Sequence, residues 1–139
     1  MSEHWPIEPV PDADLLFMRV HRNYVQNGKP NVGVFVNHGE GEQEGMSTDW
    51  SKYSTPEETK KRATNRAWRG GVIQMAAGDV RKIPRQSVVH APLPDNRSHT
   101  NVKGPKKESV EGTQARYLFM RVWKWAIECE GDAPGSTAA

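Results

Sequence analysis

The stretch TQARYLFMRVWKWAI, residues 113–127, decides how the rest of the chain is read. At roughly 100° per residue, Ala115, Leu118, Phe119, Val122, Trp123, Trp125 and Ala126 fall within about half of a helical circumference, while Arg116, Arg121 and Lys124 take the other side. An amphipathic helix over 113–127 is therefore expected, and its apolar face needs a second layer to cover.

Working outward, that layer reads as a sheet. Residues 15–21, LLFMRVH, alternate so that Phe17, Arg19 and His21 share one face and Leu16, Met18 and Val20 the other. Arg19 is thereby placed among core-like neighbours. Asn27-Gly28 and Pro30-Asn31 carry turn chemistry, and residues 32–36, VGVFV, then read as a second strand pairing with the first. Further strands are expected at VIQM, residues 72–75, and at residues 87–90, with a shorter one near 99–103. Residues 76–83 read as a helical turn or loop.

Ser54-Thr55-Pro56-Glu57-Glu58 is a helix start: Thr55 can cap, Pro56 suits the first helical position, and Glu58 completes a capping box. A helix from Pro56 to about Trp68 follows, stopped by Gly70-Gly71 and packing through Ala63 and Ala67. The fold class is then α+β, a small mixed or antiparallel sheet of four to five strands packed by the C-terminal amphipathic helix, with this second short helix on the surface. Residues 1–14, with three prolines, form an extended N-terminal arm, residues 15–130 a single globular domain, and 131–139 a flexible tail. The LFMRV shared by residues 16–20 and 118–122 is read once as strand and once as helix, and so not as a duplication.

Composition sets limits. The chain is 139 residues, 35% hydrophobic and 26% charged, so its core is thin and leans on five Trp and five Met. No run approaches the roughly 18 apolar residues of a membrane helix, and MSEHWPIEPVPDAD is acidic and Pro-rich, unlike a secretory leader. With Cys129 the sole cysteine there is no internal disulfide, and a reducing, cytoplasmic location without membrane contact is expected.

A net charge of +2 hides strong segregation. Residues 60–107 carry twelve Lys/Arg against only Asp79 and Asp95, whereas residues 1–59 are net −6 and residues 108–139 net −2. The functional expectation is a binding module that uses this basic middle third to contact an anionic partner, either nucleic acid or an acidic protein surface. Its candidate binding residues are Lys60, Lys61, Arg62, Arg66, Trp68, Arg69, Lys103, Lys106 and Lys107, with Trp68 placed to stack on a base. The competing reading is a solvated surface balanced in space by the acidic N-terminal block.

Other patterns point away from common chemistries. His90, Asp95 and His99 are metal-capable residue types at a spacing that matches no standard motif, so neither a metal nor a cofactor is expected on this reading. Cys129 sits between Glu128 and Glu130, a field that opposes thiolate formation. Gly39, Gly41 and Gly45 alternate with Glu40, Glu42 and Glu44, and carboxylates repel phosphate, so the loop is not a P-loop.

The order of a first strand bearing Arg19 and His21, then Gly45-Met46-Ser47-Thr48-Asp49-Trp50, then a helix and the strand VIQM resembles the layout of ADP-ribosyltransferase-type folds over residues 15–76. The resemblance implies a nucleotide-binding enzyme with NAD as cofactor or substrate, and Arg19, His21 and Ser47 lining its site. Such folds also use a late catalytic glutamate on or near a strand, and here no Glu lies between Glu58 and Glu108.

Overall fold

The computed structural model describes residues 5–37, 39, 45–63 and 70–129. Its centre is a six-stranded antiparallel sheet. In chain order the elements are β1 (Leu15–Val20), β2 (Val25–Gln26), β3 (Lys29–Pro30), β4 (Met46–Trp50), α1 (Pro56–Lys61), β5 (Gly71–Ala76), α2 (Ala77–Arg81), β6 (Ser87–His90), β7 (His99–Lys103), α3 (Val110–Phe119) and β8 (Lys124–Ile127). Across the sheet they run β6-β7-β4-β1-β5-β8, with β2 and β3 forming a separate hairpin. Asn27 and Gly28 both have positive φ in that hairpin's turn, the backbone a tight two-residue connection requires.

The period of two along the strands sorts the sheet into unlike faces. On one, Leu16, Met18 and Val20 of β1 join Met46 and Trp50 of β4, Ile73 and Met75 of β5 and Val102 of β7 in the main core. Ala77 and Val80 of α2 and Ala115 and Phe119 of α3 close it, with Phe119 stacked on Phe35 at 5.2 Å between ring centroids. Burial of each large side chain of this kind stabilises by roughly 1.5–3 kcal/mol. Phe17 and Val72, also buried, point the other way and stand outside that cluster. There α1 packs over β1, β5 and β8, leaving β4 and β7 more open.

The class is therefore α+β with an antiparallel sheet, but of six strands instead of four to five, with β4 unforeseen, and two further elements differ from the sequence reading. The C-terminal helix ends at Phe119, and residues 124–127 form β8 on the free edge of β5 instead of two more helical turns. An edge strand offers unpaired N–H and C=O groups, and Trp125 gains a hydrogen bond from its indole Nε1 to the Gly28 carbonyl at 2.9 Å. The tertiary pairing overrides a helical spacing that the sequence does carry. Residues 32–36 do not pair with β1 either. Val32–Val34 is a 3-10 turn whose first N–H groups are met by Asn31, Oδ1 accepting from Gly33 N at 2.8 Å. The true neighbours of β1 are β4 and β5.

The capping box at α1 is present as read. Thr55 Oγ1 accepts from Glu58 N at 3.1 Å, and Glu58 Oε1 accepts from Thr55 N at 3.0 Å. The described helix stops at Lys61, and the expected continuation through 64–68 lies outside the described residues. In the N-terminal segment Val10 is buried in the core, whereas Ile7 is 73% exposed. Among the described residues no helix is long and apolar enough to cross a membrane.

Candidate functional site

The open face of the sheet holds a cleft of about 730 Å3. Its floor follows from strand register. Phe17 on β1 pairs with Asp49 on β4, and Asp49 pairs with His99 on β7, giving one row across three strands. Two residues further along the same face stand Arg19 on β1 and Ser47 on β4. Thr59, Lys61 and Arg62 form one wall, and Leu93, Asp95 and Asn96 of the β6–β7 connection form another.

Asp49 organises these walls. It is buried, and its Oδ2 accepts from Thr59 Oγ1 at 2.8 Å and from Arg62 Nη1 at 2.9 Å, while Oδ1 accepts from Asn96 Nδ2 at 2.9 Å. A buried carboxylate needs such partners, and these three tie α1 with its C-cap and the β6–β7 connection to β4. Arg62 also donates to Ser54 Oγ at 2.9 Å, so its charge is committed to the scaffold.

Arg19 differs. Its Nη1 donates to the Thr59 carbonyl in the last turn of α1 at 3.0 Å, which positions the guanidinium and, among the described residues, is its one hydrogen bond. Arg19 is exposed to the cleft instead of lying among core residues as the sequence reading placed it. No carboxylate among the described residues pairs with Arg19 or Lys61.

Ser47 and His99 meet on the floor. His99 Nε2 lies 3.2 Å from Ser47 Oγ, and His99 Nδ1 lies 2.9 Å from the Ala91 carbonyl. His21 does not line this cleft. Its Nδ1 accepts from Asn23 N at 3.0 Å, capping a 3-10 turn, and it faces an adjoining cavity of about 210 Å3 that shares Arg19, Val34 and Val36 with the cleft.

The candidate metal residues are parted by the pleat. His90 pairs with Thr100 and so points into the aromatic side, 5.0 Å from the Trp50 ring, while His99 faces the cleft. His90 Nδ1 accepts from Glu8 N at 3.0 Å, and its Nε2–H donates to the Arg97 carbonyl at 2.7 Å. No group of three or more His, Cys, Asp or Glu among the described residues could hold a metal ion.

The described candidates of the basic middle third do not all line the cleft. Of its nine candidate binding residues, Lys61 and Arg62 line the cleft and Lys60 lies beside them on α1. Lys103 ends β7, and Lys106 and Lys107 lie in the connection to α3, none of the three lining the cleft. Arg66, Trp68 and Arg69 lie outside the described residues. Several cations from this third meet acids of the N-terminal third: Arg62 with Asp49, Arg81 with Asp12 at 2.6 Å, and Arg97 with Glu8 at 3.6 Å.

Glu8 is the hub of a second, structural cluster. Hydrogen bonds from Lys52 at 2.7 Å and from the Tyr53 hydroxyl at 2.5 Å hold its carboxyl at about 2, well below the ordinary range, with the charges of Lys52 and Arg97 assisting. Reciprocally, the bond to Glu8 raises the Lys52 ammonium above its usual value. The Arg97 guanidinium lies over the Tyr53 ring at 4.1 Å and over the Trp5 ring at 4.6 Å, pinning the arm to the body.

Sequence reasoning placed Arg19 and Ser47 in a common site but missed Asp49, Thr59, Asn96 and the role of His99. The signal was the alternation of Ser47 and Asp49 against Met46, Thr48 and Trp50, a period of two that marks a strand with one polar face. Comparison with protein-family models, with curated proteins and with solved structures gives no match for this chain.

Proposed function

We propose that the cleft binds a phosphate-bearing small molecule of the nucleotide class, with Arg19 clasping the phosphates. The observation that supports this is the convergence of Arg19, Ser47 and Lys61 in one concavity of about 730 Å3, a size suited to a small ligand. Arg19 brings a planar fork that can pair two phosphate oxygens at once, Lys61 a second cation, and Phe17 an apolar floor for a ring. NAD is the particular ligand that the ADP-ribosyltransferase-type layout suggests, as a bound nucleotide without an assigned transfer step.

This is the nucleotide-binding alternative, with a narrower ligand than the nucleic acid or acidic protein surface first expected. The wider form, in which nucleic acid or an acidic protein lies across residues 60–107, shares Lys61 with it but not Arg19. It is less favoured because Arg62, Arg81 and Arg97 are committed to Asp49, Asp12 and Glu8.

Calorimetric titration with millimolar NAD, and with ATP, tests the narrower form. A saturable response is expected, lost in Arg19→Ala and weakened in Arg19→Lys, whose ammonium cannot reproduce the fork. No saturable response to either nucleotide would reject it. Heparin retention that falls steeply with salt, and falls further in a Lys103/Lys106/Lys107→Ala variant with the cleft untouched, would return the polyanion reading to first place. Arg62 is unsuited to that test, since replacing it would break the Asp49 cluster.

A further inference from the structure

The contact between Ser47 and His99 has a direction. A carbonyl oxygen can only accept, so the His99 nitrogen 2.9 Å from the Ala91 carbonyl carries the ring hydrogen. The neutral ring then presents its Nε2 lone pair toward Ser47 Oγ at 3.2 Å. An imidazole fixed at one nitrogen and facing a hydroxyl with the other is the arrangement that activates a hydroxyl as a nucleophile.

The fold supplies the pair rigidly. Ser47 is a diagonal neighbour of His99 across the β4–β7 ladder, in which Asp49 is the direct partner of His99 and Ser47 of Asn101. Ser47 is exposed to the cleft, and Arg19 stands on the adjoining strand of the same face.

We propose that Ser47 is a nucleophile, with His99 as its general base, acting on a phosphoric ester held by Arg19; this rests on the reading of the cleft as a phosphate site. In the first step Ser47 Oγ bonds to phosphorus as its proton passes to His99 Nε2. The bond from phosphorus to the leaving alcohol oxygen breaks, and that oxygen takes the proton from Nε2. In the second step a water gives its proton to Nε2 and attacks the phosphoserine phosphorus, and Ser47 Oγ departs and recovers the proton. No oxidant or metal enters the balance. Arg19 meets the charge on the non-bridging oxygens throughout.

An alkyl fluorophosphonate tests the pair without knowledge of the natural ester. Oγ bonds to phosphorus, fluoride leaves, and the proton remains on His99. Peptide mapping by mass spectrometry should find one adduct per chain, at Ser47, with exposed Ser87 unmodified as the internal control. Ser47→Ala should abolish the adduct, and His99→Gln should slow it about 100-fold or more. Equal modification of Ser47 and Ser87 in the unaltered chain would overturn the proposal, and this comparison needs no variant to fold. So would an unchanged rate in a folded His99→Gln protein, or no adduct at Ser47 while NAD still binds, which would leave the phosphate-site reading standing. Labelling at Ser47 that saturating NAD does not slow would support the nucleophile and reject the phosphate-site reading.

Discussion

The two faces of the sheet are built from the same strands and do opposite work. Leu16, Met18 and Val20 face the core, while one step along the same backbone Phe17 and Arg19 face the cleft. On β4 the split is between Met46, Thr48 and Trp50 and the polar pair Ser47 and Asp49. On β7 the buried Thr100 and Val102 alternate with His99 and Asn101. A slip of one residue in any of these strands would exchange core for cleft. The core thus fixes the register that brings Ser47 and His99 together, and chemistry on one face is held in place by packing on the other.

The comparison breaks most severely from the core side. Phe119→Ala removes a side chain that is 1% exposed and stacked on Phe35, and should cost roughly 3–5 kcal/mol in denaturant unfolding. A variant of unchanged stability would mean that α3 does not close the core.

On the cleft side, α1 supplies a wall through its capped first turn. Thr55→Ala should cost about 1 kcal/mol, with Thr55→Ser nearly silent, because only the side-chain acceptor for the Glu58 N–H is lost. A thermal unfolding shift indistinguishable from zero for the alanine variant would remove the cap from the account.

A smaller effect sharpens the contrast by loosening the arm without touching either face. Glu8 binds its proton less readily in the fold, at about 2, than when unfolded, near 4.5. Its contribution is therefore complete above pH 4.5 and is lost as pH falls toward 2. Exchange of the Trp5, Ile7 and Glu8 amides, relative to its intrinsic rate at each pH, should quicken across that window in the unaltered chain. In Glu8→Gln it should already be fast at neutral pH, and identical exchange in the two proteins would contradict the latch.

Much of this organisation is visible in the sequence where local chemistry decides. The Thr55–Glu58 box, the faces of β1, the turn at Asn27-Gly28 and strands β5 and β6 are set by residues close in the chain. What escapes is set by distant partners. Residues 124–127 carry helical spacing, yet the vacant edge of β5 makes them a strand. Residues 46–50 do not figure among the expected strands, because Thr48 between Ser47 and Asp49 blurs a period of two whose polar positions face the cleft. Of the candidate site, Arg19 and Ser47 were named only through a resemblance in layout, and the pairing that makes His99 the neighbour of Ser47 joins segments 52 positions apart.

The central claim is that the polar face of the sheet, and not the core face or the basic segments outside the cleft, receives the ligand. Backbone amide chemical shifts recorded by NMR during a titration with NAD test it most directly. The account predicts saturable shifts concentrated at Arg19, Ser47, Lys61, Asn96 and His99, absent from Lys103, Lys106 and Lys107, and abolished by Arg19→Ala in a chain that remains folded. Shifts centred on residues 103–107, or shifts that persist unchanged without Arg19, would contradict it.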